Sequence, residues 1–253
     1  SDKSERPEIV KETQLRRLIQ KRAFFPREIR GGSLPHGVSV RARPLKRQSR
    51  QPVADARLGH DQFGMGGISL ELLTERANED PEAALAHAGA SAARASRLAV
   101  VREACGIAAY ACGRWEQAIR ELKAAMRISG SVDFLPLVAD CERGLGRPER
   151  AMAIAGSAET ARLSQAGRVE MRIVAAGARA DLGQLDAALV TLKCAELGER
   201  KVHEWSVALW YAYADMLQRA GREHEAIEWF ARAAEADIDE ETDAAERLQH
   251  LLD

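Results

Sequence analysis

Residues 68–253 divide into short segments whose apolar and polar positions have the pattern of helices, and glycines separate these segments. Four of these glycines lie in closely similar contexts, at Gly113, Gly146, Gly183 and Gly221, with spacings of 33, 37 and 38 residues. Each glycine is followed five residues later by an alanine, at Ala118, Ala151, Ala188 and Ala226. A glycine and alanine pattern that recurs at a nearly fixed period predicts stacked helical hairpins.

The residues around each glycine resemble the tetratricopeptide repeat, a helix–turn–helix unit of about 34 residues. In that family a small residue lies midway along the first helix, and the equivalents here are Gly106, Ala139, Ala176 and Ala214. A large residue of the second helix corresponds to Leu122, Ala155, Leu192 and Phe230. The last small residue of that helix corresponds to Ala125, Ala158, Ala195 and Ala233. The resemblance implies an all-α, right-handed solenoid of about four to five hairpins.

Two longer segments, VADCERGLGRPERA and VEMRIVAAGARADLGQLDAALVTL, are also similar to functionally uncharacterised tetratricopeptide proteins of actinobacteria, over roughly residues 70–250. A degenerate first unit is expected at 68–96, with Ala84 at the position of the repeated alanine. The wider spacings indicate longer connections near 160–168 and 196–204. Trp205 lies in the loop before the first helix of the last repeat, and of Trp115, Trp205 and Trp229 it is the one most expected to be exposed.

The C-terminal residues 241–252 predict a capping helix, because a repeat array must cover its last apolar face. We expect Ala244, Leu248 and Leu251 to face the array, and Glu246 and Arg247 to face outward.

Charge divides the chain at about residue 67. The net charge of −1 is the sum of +8 in residues 1–67, which hold 15 Lys/Arg and 7 Asp/Glu, and −9 in residues 68–253, which hold 22 and 31. Residues 1–67 are rich in glycine and proline and predict a basic, largely disordered arm, with a short amphipathic helix at 8–25. Its cationic cluster comprises Arg41, Arg43, Lys46, Arg47 and Arg50. Such an arm has four alternative interpretations. It contacts nucleic acid, it contacts an acidic protein, it binds the chain's own acidic repeats, or it is a solvated tail with no specific contact.

The family resemblance implies that the first helix of each hairpin lines a concave groove. The charged and aromatic residues at the groove positions are Glu103, Tyr110, Asp133, Asp140, Arg143, Glu170, Asp181, Tyr211, Asp215 and Arg219. The lysine and asparagine set with which family members grip chaperone C-termini is missing, since Asn78 is the only asparagine. An acidic lining predicts a basic peptide as the ligand, including the chain's own arm. The alternative is a solvated charged face without a ligand.

The sequence offers little catalytic or cofactor chemistry. We find no HExxH, GxSxG or phosphate-loop motif, and the six histidines are scattered. The four cysteines form no CxxC and are interpreted as free thiols of a cytoplasmic protein, without a secretory signal or a membrane span. We therefore expect a non-enzymatic protein-interaction scaffold or adaptor with no cofactor and no metal. The alternative is a nucleic-acid- or ribosome-associated factor tethered through residues 8–57.

Overall fold

The computed structural model describes residues 80–95, 97–238 and 242–253, and within these ranges the fold is entirely helical. The α-helices are α1 (Pro81–Ala95), α2 (Ala99–Ala111), α3 (Trp115–Ser129), α4 (Leu135–Gly144), α5 (Pro148–Ala155), α6 (Gln165–Asp181), α7 (Leu185–Leu192), α8 (Ser206–Arg219), α9 (Glu223–Ala236) and α10 (Ala244–Leu252). Short 3-10 helices occupy Ala158–Arg162 and Ala195–Gly198. The predicted all-α class is confirmed for this part of the chain. The basic arm, its helix at 8–25 and the first helix of the degenerate unit lie outside the described residues.

Each helix packs mainly against its neighbours in the chain. The hairpin pairs are α2 with α3, α4 with α5, α6 with α7 and α8 with α9, while α1 packs on α2 and α10 packs on α9. The first helices of the last three hairpins also meet, since α6 contacts both α4 and α8. The side chains that the sequence assigned to a groove all lie on or beside this row of first helices.

The four hairpin turns are built in the same way. Each of the glycines at 113, 146, 183 and 221 has a positive φ of 72° to 76° and ends the first helix of its pair. The amide of the next residue then donates to the carbonyl five residues earlier, as in Arg147 N to Glu142 O at 2.9 Å and Arg222 N to Leu217 O at 2.9 Å. This is the Schellman arrangement, which satisfies the last carbonyls of a helix and which glycine adopts most easily. The predicted turns are confirmed.

The repeated alanines occupy equivalent environments. Ala118, Ala151, Ala188 and Ala226 all lie one turn into the second helix of their pair and are all fully buried. The mid-helix small residues Ala139, Ala176 and Ala214 are buried as well. Small side chains at these contacts let paired helix axes approach to about 8–10 Å.

The second and third hairpins depart from the expected pattern at the end of their second helix. Helices α5 and α7 are only eight residues long, compared with 15 for α3 and 14 for α9. Ala158 and Ala195, expected to be packing residues of these helices, instead lie exposed in the two 3-10 helices. Gly156 ends α5, and an extended Cys194 follows α7, so neither helix reaches its last expected contact.

Two further expectations are wrong. Trp205 is 8% exposed rather than solvent-facing, and its indole stacks on the imidazole of His203 with ring centroids 4.5 Å apart. In the C-terminal helix, Ala244 is buried and Glu246 is exposed as expected. Arg247, however, faces the preceding helix pair, with 22% of its side chain exposed. It shares a face with Ala244 because residues three apart on a helix are neighbours.

Candidate partner-binding surface and its two guanidinium networks

The structure distributes the predicted groove residues over very different environments. Tyr110, Asp140, Arg143, Glu170 and Tyr211 are buried. The half-buried groove residues are Glu103, Asp181 and Asp215, and the exposed ones are Asp133 and Arg219. Five of the ten side chains therefore do not lie open to a partner in this conformation. The five cationic residues of the arm, Arg41, Arg43, Lys46, Arg47 and Arg50, lie outside the described residues.

A buried network centred on Arg143 joins three first helices. Arg143 of α4 donates from Nη1 to Asp140 Oδ1 at 2.9 Å and from Nε to Asp181 Oδ2, on α6, at 3.0 Å. Tyr110 of α2 donates its hydroxyl to Asp140 Oδ2 at 2.7 Å. Asp140 thus accepts from both sides with only 1% of its surface exposed. The network ties α2, α4 and α6 together through side chains alone.

Gly177 of α6 provides the space for this guanidinium. A Cβ at that position would lie 2.4 Å from Arg143 Cζ, well inside van der Waals contact. The backbone of α6 therefore passes directly over the flat face of the Arg143 side chain.

One guanidinium pairs with two carboxylates in this network. Burial, which opposes ionisation, is the largest influence on Arg143, but the carboxylates of Asp140 and Asp181 outweigh it and raise the pKa of the guanidinium. A hydrogen-bonded cation between two carboxylates is the arrangement that makes buried charge tolerable. Arg143 therefore offsets one of the two negative charges, and the network presents less negative charge than its two carboxylates alone would.

A second network, centred on Arg247, joins α8 to the C-terminal helix. Arg247 of α10 donates from Nη1 to Asp215 Oδ1 at 2.8 Å and to Tyr211 Oη at 3.0 Å, and from Nη2 to Gln218 Oε1. The guanidinium carbon also lies 4.6 Å from the ring centroid of Phe230 and 5.5 Å from that of Tyr211. Cations above aromatic faces gain further electrostatic attraction. Three oxygen acceptors and two aromatic rings thus surround this arginine.

Tyr211 completes the second network. Its hydroxyl donates to Asp243, just before α10, while accepting from Arg247. Burial is the main cause, and the Asp243 hydrogen bond the next, of a raised pKa for this phenol. Arg247 likewise has a raised pKa, because Asp215 and Tyr211 overcome the effect of burial. Tyr211 therefore stays protonated and able to donate at neutral pH.

The remaining charged residues are more accessible. Asp133 accepts from the Ser131 hydroxyl at 2.6 Å at the start of α4, and Arg219 lies 3.8 Å from Asp215 at the end of α8. Asp140, Asp181 and Asp215 each pair with an arginine. The surface is consequently less acidic than the sequence indicated, with Asp133 as its exposed carboxylate.

Sequence reasoning missed Arg247 as a site residue. The signal was its spacing, since Ala244, Arg247, Leu248 and Leu251 follow the three- and four-residue intervals of one helix face. Its charge suggested an outward orientation, although a guanidinium can be buried when acceptors surround it.

Other chemistry is sparse in the described part of the chain. None of the four cysteines, all of which lie in the described ranges, forms a disulfide, and Cys105 and Cys141 are buried. Within residues 80–95, 97–238 and 242–253, no group of three His, Cys, Asp or Glu side chains is placed to hold a metal ion. No described helix combines the length and the apolar character needed to cross a bilayer.

Comparison with known proteins adds no assignment. No protein-family model matches the chain, and no curated protein matches it significantly. Over the residues that the structure describes, the class it defines is an all-helical fold of successive hairpins with a common turn.

Proposed function

We propose that this chain is a protein-interaction scaffold of the tetratricopeptide type, acting as a non-enzymatic adaptor. The observation that supports this proposal best is the recurrence of one turn and one buried alanine in four successive hairpins. Hairpins that pack mainly on their chain neighbours are typical of helical repeat proteins, whose extended surfaces bind other proteins. We propose further that the hairpins form a right-handed solenoid, and that the protein works in the cytoplasm, where cysteines that form no disulfide are chemically stable.

The ligand that we propose is a basic peptide or protein segment bound along the row of first helices. Its support is the net charge of −9 in residues 68–253 and the exposed carboxylate of Asp133, two residues before α4. A surface of one sign raises the local concentration of ligands of the other sign. The chain's own arm, with a net charge of +8 in residues 1–67, is one such ligand.

A photo-crosslinking amino acid at Asp133 tests this function in the full chain. A matched probe at Glu149, an exposed residue at the start of α5, reports on a different face. The proposal expects one discrete adduct from position 133 in the native host, weaker at high salt and missing from position 149. Equal adducts from both positions, or none from either, would contradict it.

The alternative, a nucleic-acid-associated factor, is favoured by one observation, the cluster of five cations at 41–50. It is tested with a chain in which Arg41, Arg43, Lys46, Arg47 and Arg50 are glutamine, here called the arm-neutralised chain. Phosphate contacts make affinity fall steeply with salt. A steep salt dependence of single-stranded RNA binding that this variant loses would support the alternative. Weak, salt-insensitive binding by both chains would favour the adaptor.

A further inference from the structure

The Arg247 network has the geometry of a recognition site for arginine. Asp215, Tyr211 and Gln218 present three oxygen atoms to one guanidinium, and the rings of Tyr211 and Phe230 lie against it. A planar fork with five donors matches such an array, whereas the compact ammonium of lysine does not. The four side chains that contact the guanidinium belong to α8 and α9, whereas the arginine comes from α10.

The same chemistry occurs twice along the row of first helices. Arg143 lies between two carboxylates with a tyrosine hydroxyl on the nearer one, and Arg247 lies between a carboxylate and a tyrosine hydroxyl. The two sites differ in the origin of the arginine. Arg143 is fixed in the middle of the array, on α4, whereas Arg247 comes from the last helix of the chain.

Helix α10 is short and has few buried apolar side chains to keep it docked on this site. The helix has nine residues, and isolated helices shorter than about 12–15 residues are marginal in water, so α10 depends on docking for its order. Ala244 is its one fully buried side chain, while Leu248 and Leu251 are half-buried and Leu252 is 62% exposed. Elements with few buried apolar contacts open more readily than the rest of a fold.

We propose that Tyr211, Asp215, Gln218 and Phe230 form an arginine-binding pocket for a partner peptide, and that Arg247 of α10 occupies it until an arginine-bearing peptide displaces it. The inference rests on the proposed function, because it names the side chain that an adaptor of this kind recognises. It also gives α10 a second role, as a competitor for the site that it covers. The affinity of the pocket is then set by the difference between peptide and α10 binding.

The test uses the full-length arm-neutralised chain and a fluorescent peptide, RARPLKRQSR, which is residues 41–50. A matched peptide has lysine in place of its four arginines. Arg247→Ala should strengthen binding of the arginine peptide by about tenfold, the gain expected if the pocket is open in about a tenth of the unmodified molecules. The lysine peptide should gain little, and Asp215→Asn in the Arg247→Ala background should abolish the gain. Glu246→Gln, at the exposed neighbouring position, should behave as the unmodified chain.

Hydrogen exchange of residues 244–252 provides a second readout that needs no substitution in the pocket. Saturating arginine peptide should reduce the protection of α10, and the lysine peptide should not. Unchanged protection, an unchanged affinity in Arg247→Ala, or an equal gain for both peptides would overturn the pocket. Such a failure is distinct from failure of the adaptor function, because a crosslink confined to position 133 would still demonstrate a partner on the row of first helices.

Discussion

At the scale of single residues, Arg143 is the side chain on which three helices converge. Its guanidinium joins Asp140 and Asp181, and Asp140 in turn holds Tyr110. Breaking a buried pair by removing one partner is costly, because the charge that remains has neither water nor a counter-ion.

Arg143→Gln should therefore lower the free energy of unfolding by about 3–5 kcal/mol. Arg219→Gln is the matched control, since Arg219 is exposed and its ion pair with Asp215 spans 3.8 Å. The control should cost less than about 1 kcal/mol, as exposed ion pairs do. Urea denaturation followed by circular dichroism measures both. Similar losses in the two variants would show that the Arg143 network is not structural.

Cys105 provides a prediction about pH. Burial is the main reason, and nearby Glu121 the next, that the pKa of this thiol rises from 9.0 to about 11. The folded state favours the neutral thiol, so this contribution to stability is complete below pH 9 and is lost as the pH rises towards 11. Iodoacetamide at pH 9 should label Cys105 in urea but not in the folded chain, as read by peptide mass spectrometry. Equal labelling in both conditions would refute the buried position.

At the scale of elements, the hairpin turns depend on glycine at one position. The φ of Gly146 is 73°, where a Cβ meets the following carbonyl at a cost of about 1–2 kcal/mol. Gly146→Ala should destabilise the chain by about this amount. Gly198→Ala is the control, because a Cβ there meets nothing within 4 Å. Thermal melting compares the two. A neutral Gly146→Ala would mean that the turn relaxes to another conformation.

The sequence predicted these elements unevenly, for physical reasons. Turns and buried alanines were predictable because a positive φ and a close helix contact each demand one residue type. The ends of α5 and α7 were not, since Ala158 and Ala195 fit the family pattern although the chain before them has already left the helix. The orientation of Arg247 was missed because its acceptors lie 29 to 36 residues earlier in the chain.

At the scale of the whole molecule, the positions of the groove residues could be predicted from the sequence pattern, but their side-chain partners could not. The pattern placed them on one row of helices. It could not predict that Tyr110 and Asp140, 30 residues apart, or Arg143 and Asp181, 38 apart, would satisfy one another. The pairing of Arg143 with carboxylates therefore follows from the packing of the first helices. Arg247 of α10 pairs in the same way with Asp215 of the last hairpin.

The central claim is that the hairpins stack in chain order as a solenoid. Glu116, Glu149, Asp186 and His224 occupy the same exposed position, two residues before the repeated alanine of each hairpin. Nitroxide labels at these sites, in a chain whose four cysteines are alanine, allow pulsed electron paramagnetic resonance distances to be measured from position 116 to each of the others. Stacked hairpins predict distances that grow at every step, by roughly 10 Å or somewhat less when the array curves. A distance from 116 to 224 no longer than that from 116 to 149 would contradict the solenoid.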